Sequence, residues 1–290
     1  MTASSELAHL LPVARELASL GDEQRIRILQ RDRWIDYPRA TEALRRLKRL
    51  LETPQRERMP CMVLHGRSNI GKTLVIAKFL REHPPQFDRE KGLEQRPIIA
   101  LQMPPSPDQR RFYSALLFEL GAPQSASATL AQLERVTRDL LRRIAPRMLI
   151  VDEVHHLLAG SHIEQRASLN LLKYLANDLK ISVVAVGTSD APLAFRSDLQ
   201  MSSRFTPFEM PRWTESDDFR RLLRAFEQVL PLRRASDLVQ RPVVQLLISA
   251  SDGLLGEVSR LLTEAAERAI VDGSERISIE HLEQVQCEAS

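Results

Sequence analysis

The chain has 290 residues, of which 43% are hydrophobic and 27% are charged, and its formal net charge is +3. This composition is ordinary for a globular protein long enough to hold two linked domains, and it excludes a polycationic chain. Two cysteines without metal-ligand spacing, Cys61 and Cys287, indicate a reducing compartment. The sequence has no secretion signal and no apolar stretch near the roughly 20 residues of a membrane span, which predicts a cytoplasmic protein without a membrane partner.

The N-terminal part is predicted to be helical. Residues 1–20 have an amphipathic pattern, and residues 39–52 place a row of leucines on one side of a second helix. The segment Trp34–Pro38 connects the two and contributes aromatic side chains. A polar stretch then leads into the first strand, so we predict a helical extension over residues 1–55.

The clearest motif is a glycine loop between a predicted strand and a predicted helix. The apolar run 61–64 enters it, and an amphipathic pattern follows it. The loop matches G-x-x-x-x-G-K-[ST], in which backbone N–H groups wrap phosphates and a helix N-terminus faces the same negative charge. The predicted phosphate-binding residues are Gly66, Arg67, Ser68, Asn69, Ile70, Gly71, Lys72 and Thr73.

Lys72 is predicted to reach the β- and γ-phosphates, and the Thr73 hydroxyl to hold Mg²⁺. The alternative is a glycine turn that happens to precede a lysine. Further on, the apolar strand 148–151 ends in two carboxylates. Asp152 would help to hold Mg²⁺ through its water shell, and Glu153 would orient and deprotonate the attacking water. Because strands often end in acidic turns, only the pairing with the glycine loop indicates nucleoside triphosphate hydrolysis.

Two further polar sites follow or precede later strands. Thr188 comes just after the apolar strand 181–186, where its hydroxyl could sense the γ-phosphate or position water. The alternative is a helix cap formed by Ser189 or Asp190. Arg204 precedes the last predicted strand, where a guanidinium can project into a neighbouring subunit's site and stabilise the transferring phosphoryl group. The alternative is an ordinary surface arginine.

Strands and helices alternate through the middle of the chain and helices alone follow. A strand at 97–101 precedes predicted helices at 108–121 and 129–145, and a further helix covers the region around 169–179. This alternation predicts an α/β fold with a parallel five-stranded sheet covered by helices. We predict a nucleotide-binding core at 56–212 and a helical subdomain at 213–290, the latter with helices at 214–230, 241–251, 256–271 and 279–287.

The glycine loop, acidic strand, Thr188, Arg204 and C-terminal helices, in this order, resemble an AAA+ ATPase with a small helical lid. More narrowly, the chain resembles the TniB family of transposition ATPases, relatives of TnsC. The likeness runs from residue 25 to residue 285, and the stretches that carry it are Trp34–Ala40, Arg58–Pro60, Gly66, Ser68–Thr73, Leu149–His155, Val186–Thr188, Ser203–Phe205, Pro211–Trp213 and Gly253–Gly256.

The resemblance implies an ATP- and Mg²⁺-dependent protein of a mobile element. Such proteins assemble as oligomers or filaments on double-stranded DNA without reading its sequence, and they recruit and activate a DDE-type transposase. A TniQ-like adaptor is a further implied partner. The family's DNA-contacting lysine matches Arg110, with Arg111 beside it, and the alternative is a solvated pair in the first turn of a helix. Ser127 and Thr129 are predicted to add weaker contacts.

One position departs from the AAA+ pattern. Many AAA+ lids carry an arginine three residues after a glycine, whereas here Ser259 stands three residues after Gly256 and the arginine follows as Arg260. Arg260 lies off the predicted buried stripe of its helix and is a candidate nucleotide contact, and slow turnover is expected. Two other functions stay open: a replication-initiator or helicase-loader ATPase, and a nucleotide-gated scaffold that hardly hydrolyses ATP. His155 and His156 lack metal-ligand spacing and are interpreted as polar neighbours of the site.

Overall fold

The computed structural model describes residues 7–90, 92–196 and 199–288. The chain forms two compact units. The sheet unit comprises residues 42–67 and 72–210, and the helical unit comprises residues 7–41, 68–71 and 211–288. Within the described ranges, no helix is both long and apolar enough to cross a membrane.

The sheet unit is built on five parallel strands, which confirms the predicted fold. Their order in the sheet is β4-β5-β6-β1-β7, and a separate antiparallel pair is formed by β2 and β3. The central strands are near-continuous runs of buried apolar residues, as expected where helices flank both faces of a parallel sheet. The strands are β1 (Cys61–His65), β2 (Gln86–Asp88), β3 (Leu93–Gln95), β4 (Ile98–Gln102), β5 (Met148–Asp152), β6 (Ser182–Gly187) and β7 (Phe205–Glu209).

Helices and loops connect the strands. In chain order they are α1 (Pro12–Ala18), α2 (Asp22–Leu29), α3 (Pro38–Glu52), α4 (Lys72–Glu82), α5 (Gln109–Glu119), α6 (Leu130–Ile144), α7 (His162–Asp178), α8 (Ala191–Arg196), α9 (Leu199–Ser202), α10 (Asp217–Val229), α11 (Arg241–Ser251), α12 (Leu255–Val271) and α13 (Ile279–Glu288). A 3₁₀ turn at Val154–Ala159 follows β5.

Side-chain caps fix where several helices begin. The Asp108 carboxylate accepts hydrogen bonds from the first backbone N–H groups of α5. Thr129 and Ser161 each form a capping box, with Gln132 and Glu164 respectively, at the starts of α6 and α7. These caps satisfy N–H groups that have no partner inside the helix, so the local sequence sets each boundary.

The apolar core of the sheet unit lies against the sheet. Leu149, Val151, Val183 and Ala185 are almost fully buried and belong to one cluster with apolar residues of α5, α6 and α7. Burial of this surface is the main driving force for packing the helices on the sheet. The residues at the strand ends are therefore carried by strands that are buried in this core.

The helical unit is held together by α12. This helix packs against α11, α13 and α2, and α10 packs against α1. A charged group is buried in the same unit: the Arg25 guanidinium is inaccessible to solvent and donates two hydrogen bonds of 2.7 Å to the Glu275 carboxylate. Glu275 also accepts from the Arg233 backbone and side chain. Because a buried charge without a partner is costly, this arrangement ties α2 to the loop after α12.

Some predicted boundaries are wrong. A single helix over residues 1–20 was expected, but α1 begins at Pro12, a residue well suited to a first helical turn, and residues 1–6 lie outside the described part. Gly21 is the N-cap of α2, a separate helix that the sequence patterns did not reveal. The β2–β3 pair was also missed, because polar residues alternate there with too few apolar ones to give a strand signal.

The buried ion pair predicts a stability effect. Glu275→Gln should leave the Arg25 guanidinium buried without a full counter-charge and lower the free energy of unfolding by about 3 kcal/mol, measured by urea denaturation. Asp22→Asn, which alters the exposed partner of the same arginine, should change stability little.

The pH dependence of stability tests the same pair. Burial alone would raise the pKa of Glu275, but hydrogen bonds from Arg25 and Arg233 outweigh it and lower the pKa. The stabilisation is therefore present above the pKa of an unfolded glutamate and is lost as the pH falls through the folded value. Glu275→Gln should remove this acid-dependent component; an unchanged pH profile would contradict the assignment.

Candidate functional site

The sheet order brings three strand ends together. Strand β6 lies between β5 and β1, with Val184 paired to both Ile150 and Met62. Because the strands are parallel, their carboxyl ends meet at one edge, which is where ligands bind in open α/β sheets. That edge carries Asp152 as the last residue of β5, Thr188 directly after β6 and Gly66 directly after β1. The sequence prediction that these residues share one site is consistent with this topology.

The glycine loop runs from β1 to α4. Lys72 is the first residue of α4, and its ammonium group donates hydrogen bonds to the carbonyl oxygens of Gly66 at 2.9 Å and Arg67 at 2.8 Å. Gly71 has φ +95°, a conformation that a side chain would strain. The carbonyl groups at the start of the loop thus bind the lysine at its end. The exposed Thr73 follows in the first turn of the helix.

Lys72 and the two carboxylates influence one another electrostatically. Partial burial lowers the pKa of Lys72, and the charges of Asp152 and Glu153 oppose that shift. Burial also raises the pKa of Asp152, while the Glu153 backbone N–H, which donates to Asp152 Oδ1 at 2.7 Å, lowers it. The charges of these three side chains therefore act on one another at the carboxyl ends of the strands.

Glu153 has an unusual backbone conformation. Its φ of 54° places it in the left-handed region, which a non-glycine residue adopts at an energetic cost and which is often found at functional sites. The Glu153 carboxylate lies 3.1 Å from His155 Nδ1. The following 3₁₀ turn brings His156 close as well, so that ligand atoms of these three residues lie within 4.8 Å of one another. Sequence spacing alone did not reveal this cluster, because the turn compacts residues that a strand would hold apart.

Gly187, the residue before Thr188, lies where a side chain would not fit. A Cβ on Gly187 would come within 3.1 Å of Val154 and 3.3 Å of the His155 backbone nitrogen. The end of β6 therefore lies directly against the residues that follow β5, and the half-exposed Thr188 comes next in the chain. The Thr188 carbonyl accepts a hydrogen bond from the Ala191 N–H at the start of α8.

Arg204 lies at the opposite edge of the sheet. Its carbonyl accepts a hydrogen bond from the Cys61 N–H, at the beginning of β1, and its guanidinium donates to Asn177 at 2.6 Å. A five-residue strand separates this point from the glycine loop by roughly 16 Å. The structure does not bring Arg204 to the other predicted site residues of the same chain.

The residues predicted to contact DNA are exposed and lie around the start of α5. Arg110 donates to the carbonyl oxygen of Ala126, which brings it beside the loop that precedes α6. Arg111 donates to the Ser106 hydroxyl at 3.2 Å. In the loop, the hydroxyl groups of Ser127 and Ser125 form a hydrogen bond of 2.9 Å, and Thr129 is the N-cap of α6. The structure thus groups Arg110 with this loop, and the hydroxyl of Thr129 already has a structural role.

Arg260 is engaged within its own helix. Its guanidinium donates to Glu257 at 2.9 Å and to Glu264 at 3.1 Å, both on α12. The sequence pattern predicted correctly that Arg260 is off the buried stripe of α12. It did not reveal that two carboxylates at helical spacing occupy the guanidinium.

Several residues next to the glycine loop were missed as parts of the site. The Tyr37 hydroxyl and Leu255 both approach Gly71, and Tyr37 packs edge-on against Trp213 with ring centroids 5.3 Å apart. Asn69 contacts the start of α12, where its carbonyl accepts from the Gly256 N–H at 2.9 Å and its amide donates to Glu257 at 2.8 Å. The sequence pointed to these residues only indirectly. Tyr37 and Gly256 lie in stretches that carried the family resemblance, but no role was assigned to either residue.

Solved structures of low sequence identity share the fold. The Aeropyrum pernix ORC1 protein in complex with DNA has a TM-score of 0.61 at 19% identity, covering 91% of this chain and 69% of that one. Drosophila ORC bound to DNA gives 0.59 at 17% identity over 92% of this chain, which spans only 65% of the Drosophila chain. A Walker-type ATPase of Pyrococcus abyssi gives 0.55 at 16% identity, with 88% and 72% covered.

The sequence comparisons identify the protein family. A search of curated proteins found no match. Residues 25–215 match the family described as bacterial TniB protein. That stretch includes the glycine loop, the acidic strand, Thr188 and Arg204. The chain therefore has the fold of an AAA+ P-loop ATPase and belongs to the TniB family.

Proposed function

We propose that this protein binds and hydrolyses ATP with Mg²⁺ and, in its ATP-bound form, assembles on target DNA to regulate transposition. The observation that carries the ATPase part is the convergence of Lys72, Asp152, Glu153 and Thr188 at the carboxyl ends of three adjacent strands. The membership of the TniB family supports the transposition part. The proposal places the protein in the cytoplasm, where it would meet DNA.

The residues at the site fit a magnesium-bound triphosphate. The Lys72 ammonium already sits against the Gly66 and Arg67 carbonyls at the mouth of the loop, so a phosphate would offer it stronger anionic partners. Thr73 and Asp152 supply the hard oxygen donors that Mg²⁺ prefers. The bound ion would neutralise phosphate charge. Glu153 would orient a water molecule and accept its proton, and Thr188 would hold that water in line.

The position of Arg204 supports the proposed assembly. Its place at the far edge of the sheet prevents it from reaching the glycine loop of its own chain. A guanidinium at that edge can instead enter the site of a neighbouring copy, where it stabilises charge in the transition state. ATP would then bridge two copies and favour an oligomer or filament.

The DNA-binding surface would be formed by Arg110, Arg111 and the loop with Ser127 and Thr129. Exposed cations of this kind bind phosphates without reading base sequence, which suits a protein that coats duplex DNA. A DDE-type transposase and a TniQ-like adaptor are the proposed partners of the assembled form. A replication-initiator role uses the same fold, and co-binding to a co-encoded transposase would distinguish the two.

Glu153→Gln tests the hydrolytic role. ATP binding should persist while the hydrolysis rate falls at least about a hundredfold, because the proton acceptor is lost. Lys72→Ala should abolish binding itself, and Glu82→Gln, an exposed glutamate at the end of α4, should change neither property. Binding is measured by calorimetry and turnover by phosphate release. Normal turnover in Glu153→Gln would remove the residue from this role.

Arg204→Ala tests the contribution of a neighbouring copy. The variant should bind ATP, but its turnover should no longer rise with protein concentration. At concentrations where the natural protein is assembled, its turnover should be roughly a thousandfold slower. Mixing it with Glu153→Gln protein should restore activity, because one variant supplies the glutamate and the other the arginine. Arg196→Ala provides a nearby exposed control. Turnover in Arg204→Ala that still rises normally with concentration would contradict the model of shared sites.

The double substitution Arg110→Ala with Arg111→Ala tests the DNA surface. Affinity for duplex DNA, measured by fluorescence anisotropy with a non-hydrolysable ATP analogue, should fall equally for unrelated sequences. The slope of log affinity against log salt should decrease by about 2, or roughly 0.9 for each lost phosphate contact. Replacing Arg142 and Arg143, a pair at the end of α6, makes the same change in charge elsewhere. An equal loss in that control would show that net charge alone is responsible.

A further inference from the structure

We propose that the first turn of α12 is a working part of the phosphate site, because it holds the tip of the glycine loop in one conformation. In this proposal Asn69, Gly256 and Glu257 are positioning residues for the nucleotide, and we call their contacts the loop clasp. The inference rests on the proposed nucleotide function and specifies how α12 contributes to nucleotide binding.

The loop clasp joins the two elements through both main chain and side chain. The Gly256 N–H donates to the Asn69 carbonyl at 2.9 Å, and the Asn69 amide donates to Glu257 at 2.8 Å. Residues 68–71 belong to the helical unit, although the loop begins and ends in the sheet unit. The tip of the loop is thus packed with helices of the helical unit.

The backbone contact determines the orientation of one peptide group. A trans peptide is planar, so its carbonyl and its N–H point in opposite directions. Because the Asn69 carbonyl is bound to Gly256, the N–H of Ile70 must face away from α12. Loops of this kind use backbone N–H groups to bind phosphate. Without the clasp this peptide could rotate, and nucleotide binding would have to bear the cost of ordering it.

Gly256 allows this close approach. A Cβ at this position would lie 1.8 Å from the Asn69 side-chain oxygen, well inside contact distance, and the three nearest atoms all belong to that side chain. Asn69 itself has φ +64°, which asparagine tolerates better than most residues. Both residues are therefore suited to a contact that few other pairs could make.

Arg260 holds the clasp in place from the other side. It donates to the second oxygen of Glu257 and is itself bound by Glu264. The carboxylate that receives the Asn69 amide is thereby fixed and partly neutralised. The arginine that stands one position beyond the usual AAA+ spacing thus acts on the loop through Glu257 and makes no direct contact with the nucleotide in this proposal.

The test compares three variants with the natural protein. Asn69→Gly removes the side chain and keeps the left-handed backbone accessible. Gly256→Ala introduces the clash, and the double variant removes its cause. Affinity for a fluorescent ADP analogue with Mg²⁺ should fall roughly three- to tenfold in Asn69→Gly, the effect of about one hydrogen bond. It should fall further in Gly256→Ala, and the double variant should return to the Asn69→Gly value.

Turnover and a matched control separate positioning from general damage. KM for ATP should rise in Asn69→Gly while kcat at saturating ATP stays the same, since the loop is ordered once nucleotide is bound. Gly21→Ala is the control, because an added Cβ there meets no atom within 4 Å. Melting temperature, measured in parallel, should be unchanged in the control and should fall only slightly in Asn69→Gly, as expected for the loss of about one hydrogen bond.

The outcomes also distinguish this inference from the proposed function. If the natural protein fails to bind the ADP analogue, the nucleotide function itself is wrong. If it binds, and Asn69→Gly binds equally well with the same KM, the loop clasp is refuted. Equal losses from Gly256→Ala in both backgrounds would likewise overturn it, because the clash with Asn69 would then not be the cause.

Discussion

The backbone of the glycine loop sets the constraint on which the rest of the structure depends. Its polar groups must be available to a ligand, and yet they must have partners when no ligand is bound. Lys72 binds the carbonyls at the start of the loop, and Gly256 binds the carbonyl of Asn69 at its tip. Because these contacts occupy carbonyl oxygens, the backbone groups that the loop can still offer to a ligand are N–H groups. We propose that phosphate recognition depends on these loop contacts, including the one that Gly256 makes with Asn69.

The sheet arranges the chemistry around that loop. Because β6 separates β5 from β1, the acidic residues and the lysine face one another across a single intervening strand end. Gly187 allows that strand end to pass close to the His155 backbone, and Thr188 follows it. The same topology sends Arg204 to the opposite edge. A complete site thus requires a second copy in the proposed mechanism, which links hydrolysis to assembly.

Local patterns in the sequence were enough to predict the five strands, the glycine loop and the C-terminal helices, because each depends on periodicity or on a short motif. The contacts of Asn69 with Glu257 could not be predicted in this way. The two residues lie 188 positions apart, and no local pattern relates one to the other. The same holds for Arg25 and Glu275, 250 positions apart. The cluster of Glu153 with two histidines was missed for a different reason, since it depends on the left-handed backbone of Glu153 and on a 3₁₀ turn.

A crystal structure of the protein with Mg²⁺ and ADP would test the central claim most directly, namely that the glycine loop binds phosphate while α12 holds its tip. We expect the Lys72 ammonium to leave the Gly66 and Arg67 carbonyls and to contact the β-phosphate, while the hydrogen bond from Gly256 to Asn69 persists. A nucleotide bound elsewhere, or bound at the loop with Lys72 still on those carbonyls, would contradict it.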